Sequence, residues 1–147
     1  MEEEDDFNYE GMTKIYVGEI KVAMVVMLKK RPCKITYYSA CKTGKHGAAK
    51  AIIESTDIIT DKRINYSAST VKSVWMPIVE RKTFTWVDLQ EDYLHVQNED
   101  GKIFNFKIDL EDPYVKFIIQ NSSNDKLIII ILFVIGEHRI VDARIEK

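Results

Sequence analysis

The feature that most restricts how this chain folds is its punctuation. Apolar and β-branched residues come in short runs broken by turn formers, and the first half shows no helical period. Residues 22–28 are rich in Val and Met, residues 34–39 combine Ile, Thr and a pair of Tyr, and residues 49–53 are again strand-like. Residues 57–66 read as a strand and a turn, and residues 70–79 as a strand closed by Pro77. Short strands in series, without a helix to cover a sheet, predict a small barrel.

A second group begins near Thr83. Residues 84–89 and 93–97 are predicted strands, and Asp100-Gly101 is a hairpin signal. Residues 103–110 alternate so that Phe104, Phe106, Ile108 and Leu110 share one face. Asp112-Pro113 opens a short helix with Val115, Ile118 and Ile119 at helical spacing, because a proline in the first turn gives up only an amide that has no partner there. Residues 127–135 and 138–145 complete the set. Three strands, one helix and two strands is the order of an OB-fold, a small barrel that often binds oligonucleotides. The predicted class is therefore all-β, two small barrels: an acidic disordered tail over 1–14, a first barrel over 15–81, and an OB-fold with one short helix over 82–147.

The 147 residues are 46% hydrophobic and 30% charged, which suits one medium core or two small ones and excludes wholesale disorder. The longest apolar run, residues 127–135, is nine residues long, whereas a membrane-spanning helix needs about 20. It predicts a buried strand and no membrane partner. Cys33 and Cys41, with no signal-like start, predict a reducing, cytoplasmic setting. The formal charge of −2 conceals a separation. Glu2, Glu3, Glu4, Asp5, Asp6 and Glu10 hold six of the 23 acids, leaving 17 against 21 Lys and Arg in the rest of the chain. The acidic start reads as a solvated tail; a tail that competes for the basic face is the weaker alternative.

The basic excess has a place. From residue 21 to 53 there are eight basic side chains, Lys21, Lys29, Lys30, Arg31, Lys34, Lys42, Lys45 and Lys50, and no acid. Such a segment predicts a polyanionic partner. Within it, Lys42-Thr43-Gly44-Lys45-His46-Gly47 sets a lysine between two glycines, which permit positive φ and remove bulk on both sides. Lys45 is then the long side chain at a hairpin-like tip between two barrel strands, a cation suited to phosphate. Thr43 and His46 read as loop-shaping residues.

Arg31-Pro32-Cys33-Lys34-Ile35, then Lys42 through Gly47, then Ala49-Lys50 at this spacing resemble the N-terminal domain of the eukaryotic translation initiation factor 5A family, a relative of bacterial elongation factor P. The resemblance implies an SH3-like first barrel. It also implies that deoxyhypusine synthase transfers the aminobutyl group of spermidine to Lys45 and that deoxyhypusine hydroxylase completes hypusine, with no other cofactor. It further implies a non-enzymatic factor that binds the ribosome beside peptidyl-tRNA and promotes peptide-bond formation at stalling sequences, in elongation and termination. Lys42 and Lys50 would flank the hypusine on tRNA phosphate, with Lys29, Lys30, Arg31 and Lys34 as an outer ring on tRNA or rRNA. The chain departs from the family's pattern at Ala48, Cys41 and Lys30, where a histidine, a serine or threonine, and a glycine or asparagine are usual.

Four other readings compete. A thiol enzyme would use Cys33 or Cys41 as nucleophile with His46 as base, but no acid or oxyanion partner is visible. A phosphate loop fails because Gly44-Lys45 precedes His46 rather than Ser or Thr, and Ser39 stands where the first glycine belongs. Zinc held by Cys33, Cys41, His46 and His95 lacks a paired short spacing. A generic single-stranded RNA-binding module, using the basic segment together with Tyr93, Phe104 and Phe106 as stacking rings, is the serious alternative.

Overall fold

The computed structural model describes residues 7–42 and 49–147. The chain divides into two compact units, Met1–Ile78 and Val79–Lys147. Both are built of β-strands, and among the described residues there is one α-helix.

In the first unit, strands β1 (Thr13–Tyr16), β2 (Val25–Leu28), β3 (Arg31–Lys42), β4 (Ala49–Asp57), β5 (Arg63–Ser69) and β6 (Ser73–Met76) form a four-stranded antiparallel sheet in the order β2-β3-β4-β5 and a β1-β6 ladder. A 3-10 turn, Val17–Glu19, joins the two layers, since the amides of Val17 and Gly18 donate to the carbonyls of Lys72 and Thr70. Val17, Ile20, Val26, Leu28, Cys33, Ile35, Ala51, Ile53 and Val74 are the buried core between them. β3 runs past the expected residues 34–39 at both ends, and a bulge between Ile35 and Tyr37 bends it so that the long β3-β4 ladder wraps the barrel.

The β2-β3 connection is a two-residue turn. Lys29 and Lys30 both have positive φ, 53° and 65°, the backbone of a tight hairpin that favours Asn-Gly. Lys30 therefore holds a left-handed conformation at the position where the resemblance implied glycine or asparagine. Lys30→Gly is expected to stabilise the first unit by about 1 kcal/mol, read as a higher midpoint in urea with unchanged slope.

Part of the expected acidic tail is structured. Residues 1–6 lie outside the described residues, whereas residues 7–14, assigned to the tail from sequence, pack on the first unit. Tyr9 stacks on Trp75 with ring centroids 5.2 Å apart, Phe7 lies 4.9 Å from Tyr9, and Thr13 pairs with Met76 in the β1-β6 ladder. The aromatic rings supply the anchor that a charge count overlooks.

The second unit starts its first strand at Glu80, paired with Phe133, where the sequence suggested a division between 81 and 82. Strands β7 (Glu80–Gln90), β8 (Tyr93–Gln97) and β9 (Ile103–Lys107), helix α1 (Pro113–Gln120), and strands β10 (Leu127–Val134) and β11 (Glu137–Ile145) follow the OB-fold order. The antiparallel sheet runs β11-β10-β7-β8-β9, with bulges at Trp86/Asp88 and Ile130/Ile131 that curl it. Its two edges approach where His138 Nε2 lies 3.3 Å from the Lys107 carbonyl. Asp112 caps α1, accepting from the Tyr114 amide, with Pro113 in the first turn. Two apolar expectations fail. β9 ends at Lys107, leaving Leu110 exposed, and Ile119 is exposed while Val115 and Ile118 are buried.

Candidate nucleic-acid interface

The register of the β3-β4 hairpin places the basic residues. Lys42 pairs with Ala49 and Cys41 with Lys50, so the exposed Lys42 and Lys50 stand on opposite strands at the last rungs before residues 43–48. Thr43, Gly44, Lys45, His46, Gly47 and Ala48 lie outside the described residues. Partners across a ladder share a face. Lys34 sits opposite Thr56, and Thr56 opposite Arg63; Lys50 sits opposite Ser69. The outer face of the β3-β4-β5 sheet thus carries Lys34 and Lys50 together with Arg63, a cation that lies beyond the basic segment of the sequence and was missed for that reason. The alternation Lys50, Ile52, Glu54, Thr56 would have shown which side of β4 faces out.

Lys29 and Lys30 lie exposed at the β2-β3 turn. Arg31 is different. Its Nε donates to Asp57 Oδ2 at 2.6 Å, and the side chains are 28% and 3% exposed. Asp57 Oδ1 also accepts from the amides of Ile59 and Thr60 at 2.8 and 3.2 Å. Burial pushes the Asp57 carboxyl up, but the Arg31 hydrogen bond, the two amides and the Arg31 charge together outweigh it and hold the carboxyl below its ordinary range. The basic segment is therefore not wholly without counter-charge: an acid four residues past its end pins Arg31 to the barrel.

Other expected chemistry fares variously. Cys33 is buried in the core, where burial foremost pushes its thiol up, opposite to what a nucleophile needs, whereas Cys41 is exposed. Among the described residues no group of three or more His, Cys, Asp or Glu could hold a metal ion, and no helix is long and apolar enough to cross a membrane. Phe104 and Phe106 pack against the second core, with Phe84 5.6 and 6.0 Å from their rings; Tyr93 points outward, 45% exposed. The alternating rings of β9 are thus core, not a stacking platform.

The family model for the N-terminal part of translation initiation factor 5A-like proteins matches residues 12–72. The eukaryotic translation initiation factor 5A of Dictyostelium discoideum is 33% identical over 126 residues, covering 83% of this chain and 77% of that protein. The translation initiation factor 5A of Halorubrum lacusprofundi is 37% identical over 84 residues, covering 57% and 67%. Among solved structures, a translation initiation factor eif-5a family protein from Naegleria fowleri superposes with a TM-score of 0.79 at 28% identity, covering 91% of this chain and 99% of that one.

Proposed function

Because the chain belongs to the translation initiation factor 5A family, and so is a translation factor, we propose that it binds the ribosome next to peptidyl-tRNA in the cytoplasm and promotes peptide-bond formation at stalling sequences through hypusine on Lys45. The observation that carries this reading is the placement of Lys42 and Lys50 on opposite strands, at the last two rungs of a long hairpin whose connection is the Lys-Gly motif. A stiff ladder is a suitable arm for delivering one side chain into a narrow RNA-lined space, because its register leaves little play along the arm.

The ribosome performs the bond-forming chemistry in this reading, and the factor contributes position and charge. Hypusine adds reach and a second amine while the first nitrogen stays cationic. Lys42 and Lys50 hold the flanking tRNA phosphates, with Lys29, Lys30 and Lys34 farther out. Arg31, engaged with Asp57, acts through the barrel rather than on RNA. Deoxyhypusine synthase and deoxyhypusine hydroxylase are the modifying partners. Incubating the unmodified chain with the synthase and labelled spermidine is expected to incorporate label into the wild type and none into Lys45→Arg; label on another lysine would refute the assignment.

Electrostatics makes a second expected result. If about four lysines pair with single-stranded phosphates, log affinity for the RNA falls with log salt at a slope on the order of −3, and each of Lys42→Ala and Lys50→Ala flattens it by about 0.7. Filter binding across a salt series measures it, and a slope near zero would contradict phosphate contact.

A further inference from the structure

We propose that the outer face of the β3-β4-β5 sheet binds one unpaired RNA nucleotide, its base on Tyr37 and Ile52 and its flanking phosphates at Lys29 and Lys50. This site rests on the reading that RNA is the polyanion this unit meets, and goes beyond it by assigning a base-binding pocket to the sheet face.

A groove of about 900 Å³ crosses this face, lined among the described residues by Tyr37, Cys41, Lys50, Ile52 and Glu54 with Lys29 at the hairpin turn. That is within the size of sites that hold small ligands. Tyr37 is 48% exposed and Ile52 52% exposed, and neither belongs to the core of the unit. The ladder explains why they stay uncovered. Ile52 lies between Ser39 on β3 and Ser67 on β5, residues too short to shield it. Tyr37 lies opposite Glu54, diagonal to Ile52, within the reach of a large side chain across a ladder.

Charge and shape together select the occupant. Lys29 and Lys50 bound the groove, and Lys34 and Arg63 continue the basic face beyond it, which fits a chain with repeating negative charge. The floor between the cations is an aromatic ring and a branched apolar side chain, which fits a repeating flat ring. Single-stranded RNA has both. A duplex keeps its bases stacked inside, and an acidic peptide supplies the charge without the ring and would face the Glu54 carboxylate. Glu54 and Asn65, opposite each other on β4 and β5, offer an acceptor and an amide to a base edge. A carboxylate takes a hydrogen bond from an exocyclic amine, as on cytosine N4, so a base carrying one is preferred to uracil.

The test uses the full chain produced without the modifying enzymes, so that Lys45 is plain lysine, and fluorescence anisotropy of labelled oligocytidine and oligouridine. Tyr37→Ala is expected to weaken oligocytidine binding about tenfold with the salt slope unchanged, while Tyr37→Phe retains it. Glu54→Gln is expected to narrow the preference for oligocytidine over oligouridine. Both positions lie on the surface, and matching thermal melts for the variants establish that each is folded. Wild-type affinity in Tyr37→Ala would overturn the site, as would displacement of the RNA by inorganic tripolyphosphate at equal phosphate concentration. Neither result touches the hypusine reading, which stands or falls on Lys45→Arg.

Discussion

Lys45→Arg is expected to abolish the chain's support of translation through proline runs, although it keeps a cation at the same position and leaves the barrel unchanged. In a cell whose survival depends on this factor, the variant fails to complement. In a reconstituted system the rate of peptide-bond formation at a proline run falls to that without factor. The physical reason is chemical rather than electrostatic. A primary amine accepts an aminobutyl group, whereas a guanidinium is a planar, delocalised cation that does not enter that reaction and ends short of the hypusine amine. A generic single-stranded RNA-binding module would lose little by the same exchange, because arginine serves phosphate at least as well as lysine. The variant therefore separates the two readings, and full activity in Lys45→Arg would decide for the generic module.

The second large effect is on stability. Arg31→Ala removes the partner of a carboxylate that is 3% exposed and leaves that charge in the barrel wall with only the amides of Ile59 and Thr60. Breaking one side of a buried pair costs about 3–5 kcal/mol, and the 28% exposure of Arg31 puts the loss near the low end, about 3 kcal/mol. Asp57→Asn is milder, about 1–2 kcal/mol, because the amide oxygen still accepts from Ile59 and Thr60 while Arg31 reaches water. Chemical denaturation of the wild type and each variant measures both.

The pH dependence differs between the two backgrounds. In the wild type the folded carboxyl titrates below its unfolded value, so its contribution is complete above about pH 4 and is lost as pH falls through the lower folded value. In Arg31→Ala the lowering by the guanidinium is gone while burial remains, so the carboxyl rises from its wild-type position and the variant loses less stability than the wild type on acidification. The stability gap between the two proteins should close as pH falls, and a gap that widens would show that Asp57 is not the group responsible.

The parts legible in the sequence were those where local chemistry and tertiary packing agree. β8 lies on its predicted residues because a short alternating segment is followed by Asp100-Gly101, and α1 begins where Asp112 and Pro113 say it should. The alternate residues Leu127, Ile129 and Ile131, with Leu132 and Val134, of the nine-residue apolar run are buried because β10 lies between β7 and β11. What could not be read is non-local. The pairing of Arg31 with Asp57 spans 26 residues, and a list of basic residues does not reveal that one of them is engaged by an acid beyond the segment's end. The ordered residues 7–14 depend on Trp75, far along the chain, and the exposure of Leu110 follows from the end of the β8-β9 ladder rather than from its own neighbours. At the interface, the motif around Lys45 was conspicuous as a pattern, whereas Tyr37, Ile52 and Arg63 become neighbours only once the register of β3, β4 and β5 is known.

Peptide mass spectrometry of the chain purified from its native source examines the central claim most directly. The account predicts that the peptide containing Lys45 carries the mass of an aminobutyl group plus one hydroxyl, located on that residue by fragmentation. An unmodified Lys45 in protein that nevertheless relieves stalling at proline runs would contradict it.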